Sequence, residues 1–138
     1  MTSAVVVDAS AGVEILTGTE RGRRLAELID PHMELWVPEH FYAEVFGAIR
    51  HLHVVGRHID RHRAELAIER LFRWHIRQVG LASPITGAWV HRFNLTGADA
   101  LYVALTQRLK GQLLTDDHRL INSPHMPREV RFLHLDKD

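Results

Sequence analysis

Cysteine is absent from this chain. That absence removes disulfide cross-links, zinc held by thiolates and thiol nucleophiles together. Lysine is almost missing too. Lys110 and Lys137 are the only two, and every other basic residue is Arg. Arginine suits bidentate phosphate contacts, and a GC-rich coding sequence would produce the same bias. Neither charge sign dominates, since 17 basic residues balance 17 acidic ones. The whole-molecule field therefore gives no argument for nucleic acid, and such a case must come from local charge. No apolar run approaches the ~20 residues that span a bilayer. The opening "MTSAVVVDAS" has no basic region, and its apolar core is too short for a signal peptide. These absences point away from the membrane and toward the cytoplasm.

What remains is 138 residues, 46% of them apolar, enough to bury the core of one domain spanning 1–138. "AVVV" (4–7) is β-branched without alternation, which predicts a strand covered on both faces, as in parallel sheets. Ser10 is the expected N-cap of a helix running to Leu16. Further helices are expected over 20–29, 39–53, 58–78, 86–93 and 98–111. In the 39–53 helix, Phe41, Val45, Ala48, Ile49 and Leu52 share one face. In the 58–78 helix, Ala64, Ala67, Ile68, Leu71, Phe72 and His75 do. Gly111 is expected to close the last helix from the C′ position. Strands are expected at 34–38, 79–83, 112–115 and 130–135. Strands separated by helices describe an α/β fold with a mainly parallel sheet under helical layers.

In such sheets ligands bind beyond the carboxyl ends of the strands. Asp8 follows "VVV" directly, and Asp116 and Asp117 follow "LLT". Each could equally start a turn or cap a helix. "TGAD" (96–99) reads as a capping box with Thr96 at N-cap and Asp99 at N3. Yet the helix it opens is so apolar that it must be buried, which carries Asp99 toward the sheet edge, where an uncompensated carboxylate is costly. Glu44 lies on the flank of an apolar stripe, with His40 one turn before it and no Arg or Lys at helical spacing. If these acids converge, their mutual repulsion calls for a cation. An all-oxygen set selects Mg²⁺ or Mn²⁺ over zinc, and an open site of that kind suits phosphoryl-transfer chemistry.

The same residues carry a family resemblance. "VVVDASAGVEIL" resembles the opening strand and Asp-x-Ser of PIN-domain ribonucleases of the VapC toxin type. "VPEHFYAEVFGAIR" resembles their second motif, a glutamate in an amphipathic helix after a proline-containing turn. "LTGADALYVALT" resembles the third, which is the most specific, and "LLTDDHRL" resembles the strand followed by Thr-x-Asp-x-x-Leu. The resemblance runs over nearly the whole chain and implies a three-layer α/β/α sandwich. It implies that Asp8, Glu44, Asp99 and Asp117 bind Mg²⁺ or Mn²⁺, and that RNA is cut endonucleolytically to leave a 5′-phosphate and a 3′-hydroxyl. Ser10 and Thr115 match supporting positions, and Asp116 is counted with them as a supporting candidate. Family members are usually homodimers, neutralised by a VapB antitoxin whose C-terminal segment lies over the active site. In this sequence Thr115 and Asp117 are expected to face the cleft, with Asp116 facing solvent or starting the turn into "HRLI".

Other features point elsewhere. Arg63, Arg70 and Arg77 recur every seven residues, joined by Arg73, and read as a solvated face partnered by Glu65 and Glu69, or as a phosphate-holding stripe. His58 and His62 have i,i+4 spacing but lack the glutamate of a zinc helix and a third ligand. Trp36, Phe41, Phe72 and Trp74 are expected in the core or an interface. "TGTERG" (17–22) lacks the lysine of a nucleotide-binding P-loop. An aspartate-based phosphohydrolase would want an Asp two residues after Asp8, where Ser10 stands. A non-catalytic RNA- or protein-binding module would be expected to have degraded acidic positions, and here they are intact.

Overall fold

A computed structural model describes residues 3–137; the expected domain limits at 1 and 138 lie outside the described residues. β1 (Ser3–Val7) is the centre of a five-stranded sheet. Its partners are β2 (Met33–Pro38) on one side and β4 (Gln112–Leu114) on the other. β3 (Arg77–Val79) extends the sheet beyond β2, and β5 (Arg131–Leu133) beyond β4. The order is β3-β2-β1-β4-β5 and every pairing is parallel. Val5, Val6 and Val7 are all fully buried. Both faces of β1 are covered, which is why its sequence shows no alternation. Each such valine contributes roughly 1.5–3 kcal/mol of burial.

The helices form the outer layers of a three-layer α/β/α sandwich. α1 (Ala9–Thr17), α3 (His40–Arg50) and α4 (Arg61–Arg73) pack on one another, with α2 (Glu20–Ala26) against α1. α6 (Gly97–Leu109) lies along β1, β2 and β4, with α5 (Ile85–Trp89) against it. A π-helical turn, His51–Val55, continues α3, and a short α7 (His118–Ile121) follows β4. No described helix is long and apolar enough to cross a membrane.

Several expected elements are corrected. The residue capping α1 is Asp8, whose carboxylate accepts the Ala11 amide, and Ser10 stands inside the helix. The expected 20–29 helix stops at Ala26. The expected 58–78 helix runs only from Arg61 to Arg73, and Arg77 begins β3. The expected 79–83 strand lies earlier, at Arg77–Val79, and residues 81–83 form a turn. Phe72 is exposed and so is not core. It lies about 100° beyond Leu71 on the helix, past the edge of the buried stripe of Ala64, Ala67 and Leu71.

The left-handed residue ending α6 is Lys110 (φ 53°), not Gly111. Gly111 serves a different need: a Cβ there would sit 2.3 Å from the Ala4 carbonyl oxygen of β1. The arginine stripe is not simply a solvated face partnered by Glu65 and Glu69, because Glu65 pairs with Arg61 and two of the stripe's arginines are engaged within the protein. Arg63 donates to the Thr17 carbonyl and Arg70 to the Leu16 carbonyl. Two guanidiniums thus satisfy the C-terminal carbonyls of α1, at the negative end of its dipole. Arg77 pairs with Glu34 across the strand edge.

Candidate active site

The sheet order reverses at β1. The chain moves from β1 to β2 and β3 on one side, then returns to lay β4 on the other. Ligand crevices in open α/β sheets form at such a reversal, outside the carboxyl ends of the strands. Val7 pairs with Leu114, so Asp8 and Thr115 leave the sheet side by side. Asp8, Glu44, Asp99 and Asp117, together with Ser10, Tyr102 and Arg119, line one cleft of about 280 Å³. Four chain segments widely separated in sequence each deliver one of these carboxylates to this cleft.

Asp8 is the innermost, 4% exposed. Its Oδ1 accepts the Ser10 hydroxyl at 2.7 Å and the Ala11 amide at 3.1 Å, and its Oδ2 accepts the Thr115 hydroxyl. The two hydroxyl oxygens then accept backbone amides: Ser10 Oγ from Asp116 at 2.9 Å and Thr115 Oγ1 from Asp117 at 3.1 Å. Ser10 and Thr115 therefore tie the end of β1 to the loop after β4. Burial pushes the Asp8 carboxyl up to about 6; the hydroxyls of Thr115 and Ser10 and the Ala11 amide pull it down, and the negative charge of Asp117 adds to the rise.

Asp117 caps α7, accepting the amides of Arg119 at 3.0 Å and Leu120 at 3.4 Å. The Arg119 guanidinium lies 3.2 Å from Asp117 and 3.6 Å from Asp99. It acts as an internal cation between the two outer acids. Thr96 caps α6 through the Asp99 amide, the forward half of the expected box, while the Asp99 carboxylate faces Arg119. Glu44 accepts the Tyr102 hydroxyl at 2.7 Å, with His40 Nε2 3.6 Å away.

Asp116 is the clearest correction. It was expected to face solvent or start a turn, yet its side chain is 12% exposed and lies 2.8 Å from the Arg21 guanidinium. Arg21 Nε reaches both of its oxygens, and Arg21 also donates to the Asp136 carbonyl at 3.1 Å. Asp116 borders the neighbouring groove between α1 and α3, of about 530 Å³, which shares Ala9, Ser10 and Glu44 with the acidic cleft. The pair tethers α2 and the C-terminal segment to the loop carrying Asp117.

Sequence reasoning missed Tyr102, Arg119 and Arg21. Tyr102 had a visible signal, since it lies three residues after Asp99 and so shares its helix face. Arg21 had none, because its partner Asp116 comes from a distant segment, while Arg119 lies two residues from Asp117 and gains Asp99 only through the fold.

Among the described residues no three ligand-type side chains form a ready-made ion cage. The geometry gives the reason: Asp8 is wrapped by hydroxyls, Glu44 is held by Tyr102, and Arg119 stands between Asp99 and Asp117. The donor set still fits a hard divalent cation. It is all oxygen, it converges on one cleft, and its deepest member is a carboxylate that burial destabilises in the charged form.

The profile of the PIN domain family matches residues 5–124. Ribonuclease VapC3 of Mycobacterium tuberculosis is 35% identical over 116 residues, covering 84% of each chain. This chain belongs to the VapC family of PIN-domain proteins. Another PIN-domain relative, ribonuclease VapC12 of the same organism, is 34% identical over 129 residues, covering 94% of this chain and 98% of the relative. The solved structure of VapBC2 from Rickettsia felis, bound to a DNA fragment from their promoter, shares the PIN fold. It has a TM-score of 0.67 at 10% identity, covering 96% of this chain and 99% of that one.

Proposed function

We propose that this VapC-family chain is a Mg²⁺- or Mn²⁺-dependent endoribonuclease, the toxin of a VapBC-type toxin–antitoxin pair, with Asp8, Glu44, Asp99 and Asp117 as its metal-binding acids. The observation that carries this reading is the convergence of those four carboxylates at the sheet reversal. The names of the mycobacterial relatives and of the Rickettsia assembly support the ribonuclease and the antitoxin parts of it. A divalent cation held there supplies electrophilic assistance at a phosphodiester and lowers the pKa of water.

The chain's own residues do the rest. Ser10 and Thr115 fix both Asp8 oxygens in direction, so this buried carboxylate cannot turn away from the cleft. Capping α7 fixes Asp117 at the rim. The groove between α1 and α3, open into the acidic cleft through Ser10 and Glu44, has room for an extended polymer, either the RNA strand or an antitoxin segment. The pairing of subunits into a homodimer belongs to the same reading.

The test is cleavage of RNA by the purified chain with Mn²⁺ or Mg²⁺, its loss on chelation, and its loss in Asp8→Asn and Asp99→Asn proteins that remain folded. Parent-like cutting by both variants would sink the acidic-site reading.

A further inference from the structure

Tyr102 sits in the middle of α6 and is 2% exposed. Its neighbours Val103, Ala104 and Leu105 are buried with it. For packing alone, phenylalanine would serve and would bury no hydroxyl. A buried hydroxyl is costly unless it is bonded, and this one has a specific partner. It lies 2.7 Å from Glu44 Oε1 on α3. A carboxylate can only accept, so the tyrosine donates.

His40 adds a second tie between the same two helices. Its ring lies 4.5 Å from the Tyr102 ring. Its Nε2 is 3.1 Å from the Ala98 carbonyl, one residue before Asp99, and 3.6 Å from Glu44 Oε1. A carbonyl also can only accept, so the imidazole donates from Nε2. α3 carries Glu44 and α6 carries Asp99, and the two helices meet here through side chains. Tyr102 and His40 therefore set how far apart those acids stand across the cleft. Among the described residues no hydrogen bond is made to Glu44 Oε2, while Oε1 is held by Tyr102.

We propose that Tyr102 is a positioning residue for the metal site: its hydroxyl holds Glu44 in the orientation that binds the cation, with His40 bracing the ring. The inference rests on the metal-site reading above.

The experiment is calorimetric titration of the intact protein with Mn²⁺ alone, for the parent, Tyr102→Phe, Glu44→Gln and the double variant. Tyr102→Phe keeps the ring and its contact with His40. It is expected to weaken Mn²⁺ binding about ten- to a hundredfold, as loss of a hydrogen bond to a charged group would. In the Glu44→Gln background the same change should weaken it no further, because the group being positioned is gone. Equal losses in both backgrounds, parent-like affinity in Tyr102→Phe, or a Tyr102→Phe protein that does not fold would overturn the positioning role while leaving the metal site standing. A parent protein that binds no Mn²⁺ would overturn the metal-site reading and this inference with it.

Discussion

Asp8→Asn should change the sign of its effect on stability with pH. The Asp8 carboxyl is raised from 3.8 to about 6, chiefly by burial. A shift of about 2 pK units at about 1.4 kcal/mol each means that ionised Asp8 costs the folded state about 3 kcal/mol. The folded protein holds this proton more tightly than the unfolded chain does. The favourable contribution is therefore fully present below pH 3.8, is lost as pH rises to about 6, and stays absent above it. An asparagine removes the penalty but gives up part of the hydrogen bonding, because its amide nitrogen cannot accept the Thr115 hydroxyl. That loss is worth about 1 kcal/mol.

Without divalent cation, the variant should be more stable than the parent by about 1–2 kcal/mol at pH 7.5. At pH 4 it should be less stable by about 1 kcal/mol. Urea denaturation in a chelator, followed by circular dichroism at both pH values, reads the difference directly. A parent-minus-variant difference that is flat with pH, or a variant less stable at pH 7.5, would refute the burial argument. Mn²⁺ at 100 times its Kd should add about 2.7 kcal/mol to the parent and much less to the variant, so the same acid trades stability for binding.

Other changes test the surrounding geometry. Arg119→Ala removes the internal cation between Asp99 and Asp117 and should tighten Mn²⁺ binding about two- to fivefold, the range for an exposed ion pair; calorimetry showing weaker binding would refute the competition. Asp116→Asn should leave Mn²⁺ affinity within twofold but lower urea stability by about 1.5–3 kcal/mol through loss of the Arg21 clamp. Asp117→Asn should show the opposite pattern, weak metal binding with a smaller loss of stability. Gly111→Ala forces a Cβ against the Ala4 carbonyl and should destabilise by about 1–3 kcal/mol, read from the thermal midpoint.

The sequence by itself determined the class of fold and the four acids worth watching. A β-branched run without alternation can be stable only with both faces covered, so "AVVV" announced a central parallel strand. An acid directly after such a strand, or opening an apolar helix, stands out by its position at the sheet edge, and Glu44 stands out because no Arg or Lys lies at helical spacing from it. The tertiary structure decided what each acid does. Local spacing made Asp116 a solvent or turn residue, yet Arg21, 95 residues away, holds it half-buried. Ser10 looked like a helix cap, but Asp8 takes that place and the Ser10 hydroxyl ties the end of β1 to the loop after β4. The arginine stripe read as a solvated face partnered by Glu65 and Glu69, and in the fold two of its arginines hold the end of α1. Periodicity reports which side of an element is apolar. Which charge neutralises which depends on segments that meet only once the sheet is assembled.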